Sequence, residues 1–126
     1  KYLKCTNFGF TLPNNAEILG IEVNVRLKGG SNDDVDDNQV RIVKSDGSFG
    51  SITKNRLDEV WWGSGGGGEF VTYGSATDIW SETWTASDIN NSNFGFGISV
   101  NLQGGDSNID GEIYFIKMKV YYRTTI

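Results

Sequence analysis

At 126 residues, with 37% hydrophobic and 13% aromatic side chains, the chain is long enough to bury one core without disulfide or metal staples. Its single cysteine, Cys5, excludes an internal disulfide and a multi-cysteine zinc site, and the absence of histidine removes the commonest general base and transition-metal ligand. A net charge of −5 and a pI of about 4.6 argue against nucleic acid as a partner.

Glycine (17 residues), asparagine, serine and threonine stand where a helical protein carries Ala, Leu, Glu and Lys, and proline occurs once, so composition favours β structure. No apolar run approaches the roughly 18 residues of a membrane span, and no signal peptide precedes Lys1. The start at Lys1 rather than Met reads as a mature or excised domain of a longer chain, with residues 1–126 forming one domain.

In chain order, residues 2–10 read as an extended segment that ends at the Leu12-Pro13-Asn14-Asn15 turn. Leu19, Ile21, Val23, Val25 and Leu27 then alternate with Gly20, Glu22, Asn24, Arg26 and Lys28, the period-two signature of a half-buried antiparallel strand. Residues 32–38 read as an acidic loop, and a strand follows over 39–44 with Val40 and Ile42 inward. Asp46-Gly47 signals a tight turn, with residues 50–54 as the returning arm of a hairpin. Residues 55–69 carry no period, and the glycine run at 63–68 reads as flexible.

A short strand is expected over 70–73, and Thr85-Ala86-Ser87-Asp88 has the form of a capping box, predicting one helical turn over Ala86–Asn90. Phe94, Phe96, Ile98, Val100 and Leu102 mark a second alternating strand, and residues 104–108 turn the chain. Tyr114, Ile116, Met118, Val120 and Tyr122 share one face of the last strand. Seven or so short strands with Gly, Asn and Asp turns predict an all-β, antiparallel two-sheet β-sandwich, jelly-roll-like.

Several segments carry a resemblance: Tyr2-Leu3-Lys4 with Phe8-Gly9-Phe10, Gly20-Ile21-Glu22-Val23, and Val40-Arg41-Ile42-Val43-Lys44. Thr72-Tyr73-Gly74, Thr77-Asp78, Trp80, Thr83-Trp84-Thr85, Asp88-Ile89-Asn90, Asn93-Phe94-Gly95 and Lys119-Val120-Tyr121-Tyr122 extend it across nearly the whole chain. Together they resemble a family of β-sandwich domains in tailed-phage and metagenomic viral structural proteins. The resemblance implies a non-enzymatic fibre, decoration or surface module, on a virion or in an extracellular filament, that forms homo-oligomers or a larger assembly. It also implies one more strand before Tyr2-Leu3, so that the edge at Tyr2, Leu3 and Lys4 is left open to upstream sequence or a neighbouring subunit. The glycine run and the acidic loop depart from the family pattern at exposed surface.

Trp61, Trp62, Trp80, Trp84 and Tyr73 are the residues of an alternative function, a carbohydrate-binding module that stacks sugars on exposed aromatics. The resemblance places Trp80 and Trp84 in the framework at one end of the sandwich. Trp61 and Trp62 are adjacent, so an extended backbone turns them to opposite sides and leaves one for a partner. Asp106, Asn108 and Asp110, followed by Gly111, match the start of a calcium loop, but Lys117 stands where a bidentate glutamate is needed, and the hairpin-turn reading is preferred. Asp33, Asp34, Asp36 and Asp37 are read as solvated surface rather than a cation site, and no cofactor is expected. The carboxylates Asp58 with Glu59, or Glu69 with Asp78, show no spacing that would hold a glycosidase pair across a cleft.

Overall fold

Alternation is strongest in the strands that become the centres of the two sheets. Ile21, Val23, Val25 and Leu27 have no exposed surface, and Phe96 and Ile98 face them at 0% and 2% exposure. Each such side chain contributes about 1.5–3 kcal/mol relative to an exposed one. The computed structural model describes residues 1–29, 35–57, 60–61, 68–102 and 111–124. Among them are six strands: β1 (Leu3–Thr6), β2 (Ala16–Lys28), β3 (Val35–Val43), β4 (Glu69–Gly74), β5 (Gly95–Leu102) and β6 (Glu112–Thr124). The fold is an all-β two-sheet sandwich, with antiparallel strand orders β1-β5-β3 and β4-β2-β6.

The expected helical turn forms as α1 (Ala86–Asn90). The Thr85 hydroxyl accepts from the Asp88 N–H, the Asp88 carboxylate accepts from the Thr85 N–H, and Ala86 and Ile89 are buried. Trp80 and Trp84 are framework, as the resemblance implied, at 1% and 9% exposure. Trp80 Nε1 donates to the Ile21 carbonyl at 2.8 Å and Trp84 Nε1 to that of Ile79 at 2.8 Å. The Ile21 N–H donates to the Asp78 carbonyl, so the segment after β4 continues along the β2 edge and carries the Trp80 indole onto the end of the core.

Two expectations change. β3 begins at Val35, inside the stretch read as an acidic loop, and Asp37 is only 2% exposed. A register shift between Asp37 and Gln39 resets the strand phase, so Val35 and Asp37 face inward before it and Val40 and Ile42 after it. Asp33 and Asp34 lie outside the described residues. In β6, a second shift pairs Leu27 with Ile113 and Arg26 with Phe115, so Ile113 takes the inward position and Tyr114 is displaced to 45% exposure.

The Asp46-Gly47 turn forms, with Gly47 at φ +85° and the Ser48 N–H on Asp46 Oδ1. Its returning arm follows β3 through spaced bonds, Gly50 N–H to Ile42 O and Lys54 N–H to Val40 O, with one bridge between Val43 and Phe49. That arm covers the outer edge of β3.

Candidate functional site

The opposite edge of this sheet is uncovered among the described residues. There β1 pairs with β5 on one side only, and its register sets Leu3 against Ile98 and Cys5 against Phe96. Because Ile98 and Phe96 point into the core, Leu3 and Cys5 point the same way. Yet Leu3 is 47% exposed and Cys5 is half-buried. The facing sheet repeats the pattern, since among the described residues β6 pairs with β2 alone and its inward residues Ile113, Ile116 and Val120 are half-buried. Between the two edges runs a cleft of about 340 Å³, lined chiefly by Leu3, Trp61, Ile98, Val100, Leu102 and Ile113.

The outward side of β1 is fastened in place. The Tyr2 ring stacks on Phe49 with centroids 4.2 Å apart, and Lys4 Nζ donates to the Gly47 carbonyl at 2.8 Å while lying 5.5 Å from the Phe49 centroid. Phe49 in turn rests on Gly97, where any Cβ would collide with its ring. Of the predicted edge contacts, Tyr2 immediately precedes the ordered strand to which Leu3 and Lys4 belong. The strand's unpaired backbone groups and apolar inner face suit an added strand. Burial pushes the Cys5 thiol pKa up, which suits a packing residue rather than a nucleophile.

Trp61 is corrected from a partner contact to a core residue. It is 1% exposed, its N–H donates to the Val35 carbonyl at 2.7 Å, and its indole Nε1 donates to Asp37 Oδ1 at 2.7 Å. Tyr73 is 3% exposed and donates its hydroxyl to Asp37 Oδ2 at 2.9 Å. Neither ring presents a face to a sugar. Trp62 lies outside the described residues.

Asp37 is the residue that sequence reasoning missed. Besides Trp61 and Tyr73 it accepts from the Arg56 N–H at 2.9 Å, from Nε at 3.2 Å and from Nη2 at 3.4 Å. The carboxylate thus ties β3, β4 and the segment through residues 56 and 61 to one point. Burial works against the Arg56 charge, but its bond to Asp37 and the nearby Tyr73, Asp37 and Glu69 leave its pKa raised. Burial also pushes the Tyr73 phenol well above its usual range, reinforced by the Asp37 charge. A carboxylate so fully engaged has a structural part and no lone pair directed at a ligand.

Asp106, Asn108 and Asp110 lie outside the described residues, as do Asp58 and Glu59. Among the described residues no three His, Cys, Asp or Glu side chains converge as a metal site. Glu69 is 3.8 Å from Arg56 and Asp78 is 2.6 Å from Lys54, so the two carboxylates serve separate ion pairs. A second depression of about 490 Å³, between the 14–18 turn and Trp84, is lined by Asn14, Asn15, Glu17, Thr83 and Thr85, with the Trp84 indole almost wholly covered. No helix among the described residues is long and apolar enough to cross a membrane. Comparison with protein-family models, with curated proteins and with solved structures finds no match to this chain.

Proposed function

We propose that this chain is a non-enzymatic structural or surface-display module that assembles with copies of itself, in a virion fibre or decoration layer or an extracellular filament, by strand addition at the β1 edge. The observation that carries the reading is the inward-pointing but uncovered Leu3, beside a cleft that reaches the core residues Trp61 and Ile98 and is otherwise lined largely by apolar side chains. Burying Leu3 and filling the cleft would recover hydrophobic stabilisation of about 25 cal/mol per Å² covered. The added strand would pair with the free backbone groups of Leu3–Thr6. The family resemblance of the sequence supports a virion or extracellular setting.

Sedimentation velocity over a concentration series tests this reading, with Leu3→Asp as the variant. Leu3 is nearly half exposed, so the substitution leaves the monomer folded while placing a charge in the cleft. Oligomers in the parent that are lost in Leu3→Asp support the proposal. A parent that stays monomeric at millimolar concentration, with unchanged amide shifts in β1, overturns it.

A further inference from the structure

The solvent face of the β4-β2-β6 sheet is polar along most of its length and aromatic at one end. Register places Phe70, Arg26 and Phe115 in one row across the three strands, all on the outward side. The bulge in β6 adds Tyr114 to the same place. Phe70 is 65% exposed, Tyr114 45% and Phe115 40%. The Phe70 and Phe115 centroids are 5.5 Å apart. The Arg26 guanidinium carbon lies 5.0 Å from the Phe70 centroid and 5.9 Å from that of Tyr114. Gly68, at φ +69°, lies where a Cβ would press on the Leu27 carbonyl and the Tyr114 ring, so the shelf needs glycine beside it. Large aromatics clustered on the water side of a sheet are the informative exception to ordinary burial, and a bulge that turns one more ring outward is a device proteins use near binding sites.

The next row along the strands is polar: Thr72 donates to Asn24 Oδ1 at 2.8 Å, and Lys117 stands opposite Asn24 on the other side. Cations dominate this end of the sheet. Arg26, Lys28, Lys117 and Lys119 face outward against Glu22 and Glu112, and Glu22 is 3.5 Å from Lys119. The chain as a whole carries −5, so this face is a local reversal of sign. A second copy docking symmetrically would set these cations against their own counterparts.

We propose that this shelf binds an acidic oligosaccharide, with a sugar ring stacked on Phe70 and Tyr114 and a uronate or sulfate group held by Arg26 and Lys117. A pyranose ring matches the aromatic surface that Arg26 leaves exposed on Phe70 and Tyr114, while the hydroxyl and amide groups of the adjacent row suit its hydroxyls. Arginine and lysine supply the charge-assisted bonds that an acidic group accepts. The site is on the opposite face of the β4-β2-β6 sheet from the cleft beside β1, so its fate is independent of the assembly reading.

The test is an amide-shift titration of the intact chain with oligogalacturonate, its methyl-esterified neutral form, a hyaluronan oligomer and a heparin fragment. We expect at least one acidic oligomer to shift Arg26, Phe70, Phe115 and Lys117 and to bind about tenfold more tightly than the neutral ester. Phe70→Ala, at an exposed position, should weaken that binding by up to about tenfold with an unchanged fold. Lys117→Gln should weaken it less and flatten its salt dependence. The proposal fails if none of the acidic oligomers shifts the shelf at millimolar concentration, or if the ester binds equally well. It also fails if Phe70→Ala abolishes self-association of the glycan-free chain, because the shelf is then a protein interface.

Discussion

The indole N–H of Trp61 donates to Asp37 Oδ1 at 2.7 Å, joining residues 24 positions apart inside the sandwich, where Asp37 is 2% exposed. Three side chains, Trp61, Tyr73 and Arg56, converge on that group, while the described backbone around Arg56 and Trp61 meets β3 through one bridge, Asp36 to Val60, and the Trp61 N–H bond to the Val35 carbonyl. Asp37 thus reinforces a sparse ladder. It fixes a covering segment to β3 through charge-assisted bonds.

Asp37→Asn should cost about 3 kcal/mol in denaturant unfolding. The amide keeps the shape but removes the charge that balances Arg56, and its NH₂ faces a donor where an oxygen accepted. The figure belongs at the lower end for a broken buried pair, because the Arg56 side chain is 20% exposed and Glu69 lies 3.8 Å from it. An Asn variant within 1 kcal/mol of the parent, roughly the worth of one neutral hydrogen bond, would show that the pair is not stabilising.

Tyr73 predicts a pH dependence at the alkaline end. Its folded pKa is raised, so the native state favours the protonated phenol. That contribution is fully present below the unfolded value of about 10 and is lost as pH rises above it, by about 1.4 kcal/mol per unit. Tyr73→Phe should be less stable at neutral pH by about 1.5–3 kcal/mol, the worth of a hydrogen bond to a charged group. The difference between the two proteins should shrink above roughly pH 10. Parallel stability curves for both proteins in that range would contradict the assignment.

The N-terminus of α1 is a separable test. Thr85→Ala removes the oxygen that accepts the Asp88 N–H at 3.1 Å and should cost about 1 kcal/mol. Thr85→Ser retains the acceptor and should lie within a few tenths of a kcal/mol of the parent. A fall for both variants would assign the effect to packing of the threonine methyl group.

What could be read from the chain divides along physical lines. β2 and β5 were legible because both are central strands whose core-facing positions, Ile21, Val23, Val25 and Leu27 in one and Phe96 and Ile98 in the other, recur every second residue. The helical turn was legible because capping is local chemistry within four residues. The start of β3 was hidden because one bulge reverses the phase of Val35 and Asp37 relative to Val40 and Ile42, and four acids nearby mimic a loop. Tyr114 was misplaced for the same reason, since strict alternation across residue 113 ignores the register shift. For Trp61 and Trp62, parity says that adjacent side chains diverge, but only the position of Asp37 decides that Trp61 goes inward. The aromatic shelf is hidden in the sequence because Phe70 lies more than 40 residues before Tyr114 and Phe115 and meets them only through strand pairing, and because strict alternation sends the adjacent Tyr114 and Phe115 to opposite faces.

Gly74 and Gly47 separate backbone strain from crowding. Both have positive φ, +79° and +85°, a region where an L side chain costs about 1–2 kcal/mol. At Gly47 nothing lies within 4 Å of an added Cβ, so Gly47→Ala should show that conformational cost alone. At Gly74 the Cβ would meet the Ile21 carbonyl, with Trp80 Nε1 2.7 Å away, and these are the two partners of the bond that seats the indole. Neither can withdraw without opening the other, and overpacking of this kind adds about 1–3 kcal/mol. Gly74→Ala should therefore be the more damaging by that margin and should red-shift Trp80 fluorescence as the ring is pushed toward water. Equal losses at the two positions, with no spectral change, would mean that the Trp80 plug tolerates displacement and that the end of the sandwich is held by other contacts.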